Sequence, residues 1–305
     1  MSYDGLLVID KPAGPTSHDI VARVRRLLGV RRVGHGGTLD PDATGVLLVA
    51  VGQATRFFPY LAKEDKVYEG AIRLGFATDT YDASGRPSTE ESHDFPGRED
   101  LARAMTCFEG TIHQTPPAYS AKKIGGSPVY KMARAHKEFD LKPSVVTVAW
   151  FRLDEYRPPL VFFETKCSSG TYVRSLAHDL GERLGCGAHL HTLRRTSVGP
   201  YALGDAVSIA ALEEPGGKDK AAARILPLEA LLPGVPVVIV RPEAEMRVRN
   251  GAAIGPEHLG PPLPGGPPFP GEACVLRLFG ESGRLLALAR PSPDGEGLRP
   301  FLVIA

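Results

Sequence analysis

Gly34-His35-Gly36-Gly37-Thr38-Leu39-Asp40-Pro41-Asp42-Ala43-Thr44-Gly45 is the most chemically loaded stretch of this 305-residue chain. It is a glycine-rich loop set between two regular elements. Upstream, Gly5–Ile9 reads as a short apolar strand. A helix then starts at Thr16 or Ser17, carries Ile20, Val21, Val24, Leu27 and Leu28 at helical spacing, and closes at Gly29. Arg23, Arg25 and Arg26 fall off that stripe and are expected to face outward. Downstream, Val46–Val51 reads as a strand. An aspartate between such a loop and a strand can meet a ligand while the turn holds its backbone. Taken alone, Asp40 reads more readily as an Asx-turn residue, because Asp-Pro is an ordinary turn initiator.

Two other chemistries use the spacing D-x-D-x-T. A calcium loop needs a bidentate acid eleven residues after Asp40, and that position is Val51. A phosphotransferase of the haloacid-dehalogenase type places its first aspartate after an apolar strand. Here Gly-His-Gly-Gly-Thr-Leu precedes it, which weakens that reading without removing it.

Beyond the loop, Lys66–Phe76 alternates: Tyr68, Ile72, Leu74 and Phe76 share one face, Glu69, Ala71 and Arg73 the other. Leu160–Cys167 reads as a strand and Ser168-Ser169-Gly170 as a turn. The next helix buries Val173, Leu176, Ala177, Leu180 and Leu184, with Arg174 in its first turn, off that stripe and pointing elsewhere. Pro215-Gly216-Gly217-Lys218 reads as a loop and Leu232-Pro233-Gly234 as a linker. After it come a strand (Val235–Val240), a short helix (Pro242–Arg249) stopped by Asn250-Gly251, and two strands (Ala273–Phe279, Arg284–Ala289) flanking a Glu281-Ser282-Gly283 turn. Between them, Gly255–Gly271 holds 5 Gly and 7 Pro in 17 residues, too many breakers for regular structure. Strands and helices mix without regular βαβ alternation, so the fold class is α+β, with a small, mostly β region from about residue 235.

Composition sets the bounds. Hydrophobic residues at 43% and charged residues at 23% are ordinary globular values and exclude wholesale disorder. No apolar run approaches the roughly 18 residues of a membrane span, and no apolar signal stretch follows Met1-Ser2-Tyr3-Asp4. Cys107, Cys167, Cys186 and Cys274 are widely spaced, as expected of single thiols in a reducing cytoplasm rather than a disulfide frame or a zinc site. Taken whole, the net charge of +1 argues against a polyanionic partner, yet it is a cancellation. Residues 61–110 hold 6 basic and 11 acidic residues, whereas 111–200 hold 13 basic and 7 acidic. Arg23, Arg25, Arg26, Arg31 and Arg32 add a smaller basic cluster. Clustered Arg and Lys can form a phosphate-tracking face whatever the total, although ordinary solvated faces explain the charge map equally well.

Asp10-Lys11-Pro12-Ala13-Gly14-Pro15-Thr16-Ser17 followed by Gly34–Gly45 resembles the opening motifs of the tRNA pseudouridine-55 synthases, the TruB family. The similarity continues through Lys66-Val67-Tyr68, Thr78–Asp82, Gln114–Lys123, Ser169–Ala177 and Gly187–Arg195, in order across residues 5–200. Arg249-Asn250-Gly251 and the terminal β region loosely resemble the RNA-binding PUA-type domain at that family's C-terminus. One departure is His136-Lys137-Glu138, where the family usually has a glycine soon after the Tyr130–Arg134 block.

The resemblance implies a pseudouridine synthase catalytic domain over residues 1–232, with a mixed, largely antiparallel sheet, and a PUA-like domain over 235–305. It implies conversion of uridine-55 in the tRNA T-loop to pseudouridine, with no metal, no cofactor and no obligate protein partner. Asp40 would be the catalytic carboxylate, as nucleophile or as stabiliser of developing charge. Arg174 would pair with it. Tyr68 would pack on the flipped uracil and relay a proton from C5. Tyr172 and Leu193 would complete the pocket, and His35 would fill stack space vacated by flipped bases. Lys11, Arg194 and Arg195 would be structural or phosphate-contacting. The rival class is a tRNA-binding or tRNA-folding module without chemistry, which would not need Asp40, Tyr68 and Arg174 together. With the basic surplus of 111–200 beside an RNA cleft, affinity for tRNA should fall steeply between about 50 and 200 mM salt in filter binding, despite the near-neutral chain. A salt-insensitive affinity would contradict that charge placement.

Overall fold

The computed structural model describes residues 3–119, 123–124, 127–128, 141–260, 274–293 and 295–304. The Tyr130–Arg134 block, His136-Lys137-Glu138, Ser120–Lys122, residues 261–271 of the proline-rich stretch and Ala273 lie outside the described residues.

The fold grows from β1 (Gly5–Lys11) and β3 (Thr44–Val51), antiparallel over their whole length from Gly5 opposite Val51 to Lys11 opposite Gly45. Both strands are apolar on both faces because both faces are covered. Leu7, Ile9, Leu47 and Val49 enter one core with α1 (Ser17–Leu28), while Leu6, Val8, Val46 and Leu48 enter a second on the opposite face. The expected stripe of α1 is buried at Ile20, Val21, Val24 and Leu28, and Arg25 and Arg26 face solvent. Its start resolves to a capping box. Thr16 Oγ1 accepts from the Asp19 N–H at 3.1 Å, and the Asp19 carboxylate accepts from the Thr16 N–H at 2.8 Å. Gly29, with φ 69°, closes the helix.

Part of the expected glycine-rich loop is a strand. β2 (Val33–Gly36) pairs antiparallel with β3, His35 opposite Val49. Its glycines permit close approach: a Cβ on Gly34 would stand 2.8 Å from the Phe58 ring, and one on Gly36 3.2 Å.

The large sheet continues through β4 (Lys66–Leu74), β5 (Gly110–Gln114), β6 (Ser144–Arg157), β7 (Leu160–Cys167), β8 (Ala188–Val198) and β9 (Val207–Ser208). The order is β9-β1-β3-β8-β4-β7-β6-β5, with β2 beside β3. Only the β1–β9 and β3–β8 pairs along this path are parallel, so the sheet is mixed and largely antiparallel, as expected. Chain order matters here: β8, late in sequence, inserts between β3 and β4. α2 (Arg98–Thr106) and α3 (Val173–Leu184) pack against this sheet, and Gly185 ends α3. No helix among the described residues is long and apolar enough to cross a membrane.

The expected loop at Pro215–Lys218 is shorter than the sequence suggested. α4 (Gly217–Arg224) includes Lys218, because the Ala221–Ala223 run favours helix and Gly217 lies where a side chain would overlap the Leu212 carbonyl.

The terminal region forms its own sheet, β10 (Val237–Val240), β11 (Leu276–Gly280), β12 (Leu285–Pro291) and β13 (Leu298–Val303), in that spatial order, with α5 (Pro242–Arg249) packed on it. The segment read as a linker is tied down. Buried Arg277 donates to the carbonyls of Glu229, Leu231, Pro233 and Val235. Leu285, Leu288 and Leu302 join the second core with Leu6, Val8 and Leu48, so the small sheet rests directly on the large one.

Gly45 shows how tightly the central strands approach. Its φ is 99°, and a methyl group there would overlap the backbone of Arg195 on β8. Gly45→Ala should therefore destabilise the protein by about 2–4 kcal/mol in urea unfolding, with an unchanged m-value. A loss within about 0.5 kcal/mol would show that β3 and β8 can separate at little cost.

Candidate active site

The first motif of the chain holds the second in place. Ser17, at the start of α1, uses one hydroxyl twice: Oγ accepts from the Leu39 N–H at 2.9 Å and donates to the Leu39 carbonyl at 3.0 Å. Lys11, at the end of β1, is wholly buried and donates from Nζ to the carbonyls of Pro12 and Pro41, both at 2.8 Å. The Gly14 N–H donates to the same Pro41 carbonyl at 2.9 Å. Asp40 thus sits between two backbone anchors, with its own carbonyl closing a turn to the Ala43 N–H. Burial lowers the Lys11 pKa, while Asp42 and Asp40 oppose that shift. Its place is structural, beneath the loop rather than facing solvent.

Arg174 meets Asp40 as a two-pronged fork. Nε lies 3.0 Å from Oδ2 and Nη2 lies 3.3 Å from Oδ1. The guanidinium also donates from Nη1 to Asp82 Oδ2 and the Thr80 carbonyl, both at 3.3 Å, and from Nη2 to the Tyr119 carbonyl at 3.1 Å. The Arg174 side chain is 8% exposed, whereas 46% of the Asp40 side chain opens to the cleft. Protein packed around Asp40 raises its pKa above the ordinary aspartate value, Arg174 pulls it down, and Asp82 pushes it up again. Asp40 is thus an accessible carboxylate backed by a sequestered cation.

Two cavities meet at this ion pair. One, of about 560 Å³, is lined by Asp40, Lys66, Tyr68, Tyr172, Arg174 and Leu193, among others. The other, of about 800 Å³, shares Asp40, Arg174 and Leu193 and adds Thr80, Asp82 and Tyr119. Tyr68 is buried on β4 opposite Arg195 of β8. Burial pushes the Tyr68 pKa up, and the Arg195 charge opposes that shift. Arg195 is itself buried, donating from Nε to the Val46 carbonyl at 2.7 Å and from Nη2 to the Gly37 carbonyl at 3.0 Å. Arg194 ties β8 to β1 and β3 through Asp10, at 2.8 Å, and the Thr44 hydroxyl. Lys66 donates to the carbonyls of Ala62 and Glu64, each at 2.6 Å, and burial brings its pKa down to about 8.

His35 stands apart from these walls. It lies on β2, its ring edge-on to His18 with centroids 5.0 Å apart, and it lines neither cavity. Burial, then the nearby His18 and Arg195, bring its pKa down to about 4. The structure therefore brings Asp40, Tyr68, Tyr172, Arg174 and Leu193 together and leaves His35 on the neighbouring strand.

Sequence reasoning assigned no role to Asp82 or Gln114. Asp82 is the second carboxylate on Arg174. Gln114 grips the Tyr172 backbone from both sides, Oε1 accepting its N–H at 2.7 Å and Nε2 donating to its carbonyl at 3.0 Å. Both residues fall in motif blocks, but an aspartate among Thr, Ser and Gly reads as a turn former. Among the described residues, no group of three or more His, Cys, Asp and Glu side chains is arranged to hold a metal ion.

Comparison with known proteins gives this geometry its context. Residues 25–173 match the model for the N-terminal domain of TruB family pseudouridylate synthases, and residues 174–233 match the tRNA pseudouridylate synthase B C-terminal domain. The tRNA pseudouridine synthase B of Thermobifida fusca (strain YX) is 44% identical over 298 residues, covering 94% of each chain. The chain belongs to the TruB family of pseudouridylate synthases. The corresponding protein of Syntrophobacter fumaroxidans (strain DSM 10017 / MPOB) is 42% identical over 98% of this chain and 97% of its own. Among solved structures, a chain of an H/ACA ribonucleoprotein bound to a substrate RNA containing 2'-deoxyuridine superposes with a TM-score of 0.77. It is 25% identical over 99% of this chain and 86% of that one. A chain of a Cbf5-Nop10-Gar1 complex gives 0.75 at 27% identity, covering 99% and 84%. The TruB C-terminal model ends ahead of the small sheet, and the boundary between the two family models falls at the first turn of α3, inside the catalytic fold.

The low pKa of His35 has a consequence for stability in this TruB-family protein. The folded ring stays neutral down to about pH 4, while the unfolded chain takes up a proton near 6.5. The contribution is complete above pH 6.5 and is lost as pH falls toward 4. His35→Asn should therefore show a smaller drop in urea midpoint between pH 7 and 4.5 than the unsubstituted protein. Equal drops would remove His35 burial as a source of acid sensitivity.

Proposed function

We propose that this TruB-family synthase isomerises uridine-55 in the T-loop of tRNA to pseudouridine, recognising the T-arm. The C1′–N1 bond breaks, the base turns, and a C1′–C5 bond forms; N1 gains a proton and C5 loses one. The observation that carries this reading is the forked Arg174–Asp40 pair on a wall shared by two cavities, with Tyr68 in the first. Relatives named tRNA pseudouridine synthase B over nearly the whole chain supply the substrate class.

Asp40 acts on the flipped uridine, as nucleophile or as charge stabiliser, and both routes need the ionised carboxylate that Arg174 favours. Tyr68 and Leu193 pack against the base, Tyr172 closes the pocket, and the Tyr68 hydroxyl relays the C5 proton beside Arg195. His35, kept neutral by burial, takes up stack space next to the cleft once bases leave the T-loop. Residues 1–232 carry the chemistry, and the sheet of residues 235–305 adds RNA contact as a PUA-like domain. The enzyme works in the cytoplasm on tRNA alone, without metal, cofactor, membrane or obligate protein partner.

The direct test is incubation with an unmodified tRNA transcript, followed by mapping of pseudouridine to its nucleotide. Asp40→Asn should lower the single-turnover rate by about 10³-fold or more while tRNA affinity stays within about twofold, since the carboxylate acts in the transition state. Retained turnover would remove Asp40 from the chemistry, and modification at another nucleotide would overturn the uridine-55 assignment.

A further inference from the structure

Tyr81 has a φ of 65°, in the left-handed region that a bulky side chain rarely occupies. Its neighbours show what the reversal achieves. Thr80 and Asp82 flank it, and both meet the same atom of Arg174: the Thr80 carbonyl and Asp82 Oδ2 each lie 3.3 Å from Nη1. The turn at Tyr81 sets the Thr80 backbone carbonyl and the Asp82 carboxylate on the same guanidinium nitrogen.

The ring of Tyr81 lies flat on His178, with centroids 3.7 Å apart and an interplanar angle of 8°. His178 is four residues beyond Arg174 on α3, hence one turn along the same face. One helix face therefore grips three consecutive residues, Arg174 taking the outer two and His178 the middle one. The Tyr81 backbone is tied on both sides, its N–H to the Thr78 carbonyl at 3.2 Å and its carbonyl to the Leu190 N–H at 3.0 Å. Asp82 arrives already oriented: Oδ1 accepts from the Thr80 hydroxyl at 2.6 Å and from the Ser84 N–H at 3.1 Å. Burial, with Asp179 and Glu182 adding to it, raises the Tyr81 pKa. Burial lowers that of His178 against the pull of Glu182, so two neutral rings stack. Neither ring lines the cavities that meet at Asp40.

We infer that the Tyr81–His178 stack is a positioning device for pseudouridine formation, holding the strained Thr80–Asp82 turn so that it fixes Arg174 and, through Arg174, Asp40. This inference rests on the proposed reaction. Without the stack, residue 81 relaxes toward an ordinary φ, Thr80 and Asp82 leave Nη1, and the guanidinium can rotate out of its fork on Asp40. The effect falls on the chemical step, because neither ring has a place in the cleft that receives RNA.

The test is single-turnover pseudouridine formation on unmodified tRNA at saturating enzyme, with tRNA affinity measured in parallel by filter binding. His178→Ala should slow the reaction about tenfold or more while leaving affinity within about twofold. His178→Phe should restore the rate, because a flat ring is all the stack requires. A wild-type rate in His178→Ala, or a Phe variant no faster than the Ala variant, overturns the inference. Should His178→Ala fail to fold, as read by circular dichroism melting, Tyr81→Ala carries the test, since alanine keeps the strain of φ 65° but has no ring to stack. A slowed reaction with intact affinity there supports the device, and a wild-type rate overturns it. No pseudouridine from the unsubstituted protein would overturn the functional reading and this inference together; normal turnover with undiminished variants overturns this inference alone.

Discussion

A guanidinium taken out of water must find a partner for nearly every N–H it carries. That demand, made by Arg174 at the start of α3, organises the site. Its partners come from three places in sequence: Asp40 after β2, Thr80 and Asp82 after β4, and the Tyr119 carbonyl after β5. Removing one partner from a buried ion network leaves an uncompensated charge, so these segments hold one another in place. The geometry of the cleft comes from this mutual dependence. Asp40 remains open on one side only because its other side is occupied by a cation that cannot leave.

The sheet supplies the rigidity the ion pair needs. Asp40 sits on a loop, and loops wander unless their backbone groups are tied. Here Ser17 holds Leu39, while Lys11 and Gly14 hold Pro41, so the loop inherits the stability of β1 and α1. On the other wall, Arg195 reaches from β8 to the carbonyls of Val46 and Gly37 and lies opposite Tyr68 of β4, joining three strands around one pocket. The close approach of Gly45 to Arg195 is part of the same construction. The terminal sheet braces the opposite face, through Arg277 and the shared core of Leu302, Leu285 and Leu48.

Much of this was legible before any coordinates. The stripe of α1, the double-sided apolar runs of β1 and β3, the alternation of β4 and the strands of the terminal region follow from periodicity, which depends only on local geometry. The N-cap at Thr16 is a short-range pattern of the same kind. What failed locally did so for a common reason. Gly34 and Gly36 look like loop residues, yet they sit in β2 because the ring of Phe58, far along the chain, needs the room. Gly217 opens α4 for an equivalent reason, its missing side chain clearing the Leu212 carbonyl. Leu232-Pro233-Gly234 looks like a tether, and only the placement of Arg277 shows it to be bound down. His35 sits on β2 beside His18, off both cavity walls, a placement no local pattern announces.

By itself, the sequence determined the residue types and local elements: a turn that exposes Asp40, a strand that turns Tyr68 inward, a helix with Arg174 in its first turn, and a basic surplus hidden within a net charge of +1. Resemblance to one family attached chemistry to them. Only the tertiary structure decided that Asp82 shares Arg174 with Asp40, that Gln114 sets Tyr172, and that Lys11 and Arg195 are buried supports rather than phosphate contacts. The physical reason is that burial and pairing are properties of the closed sheet. Its order places β8 between β3 and β4, and Asp40 and Arg174, which meet at the cleft, lie 134 residues apart in sequence, beyond the reach of any local pattern.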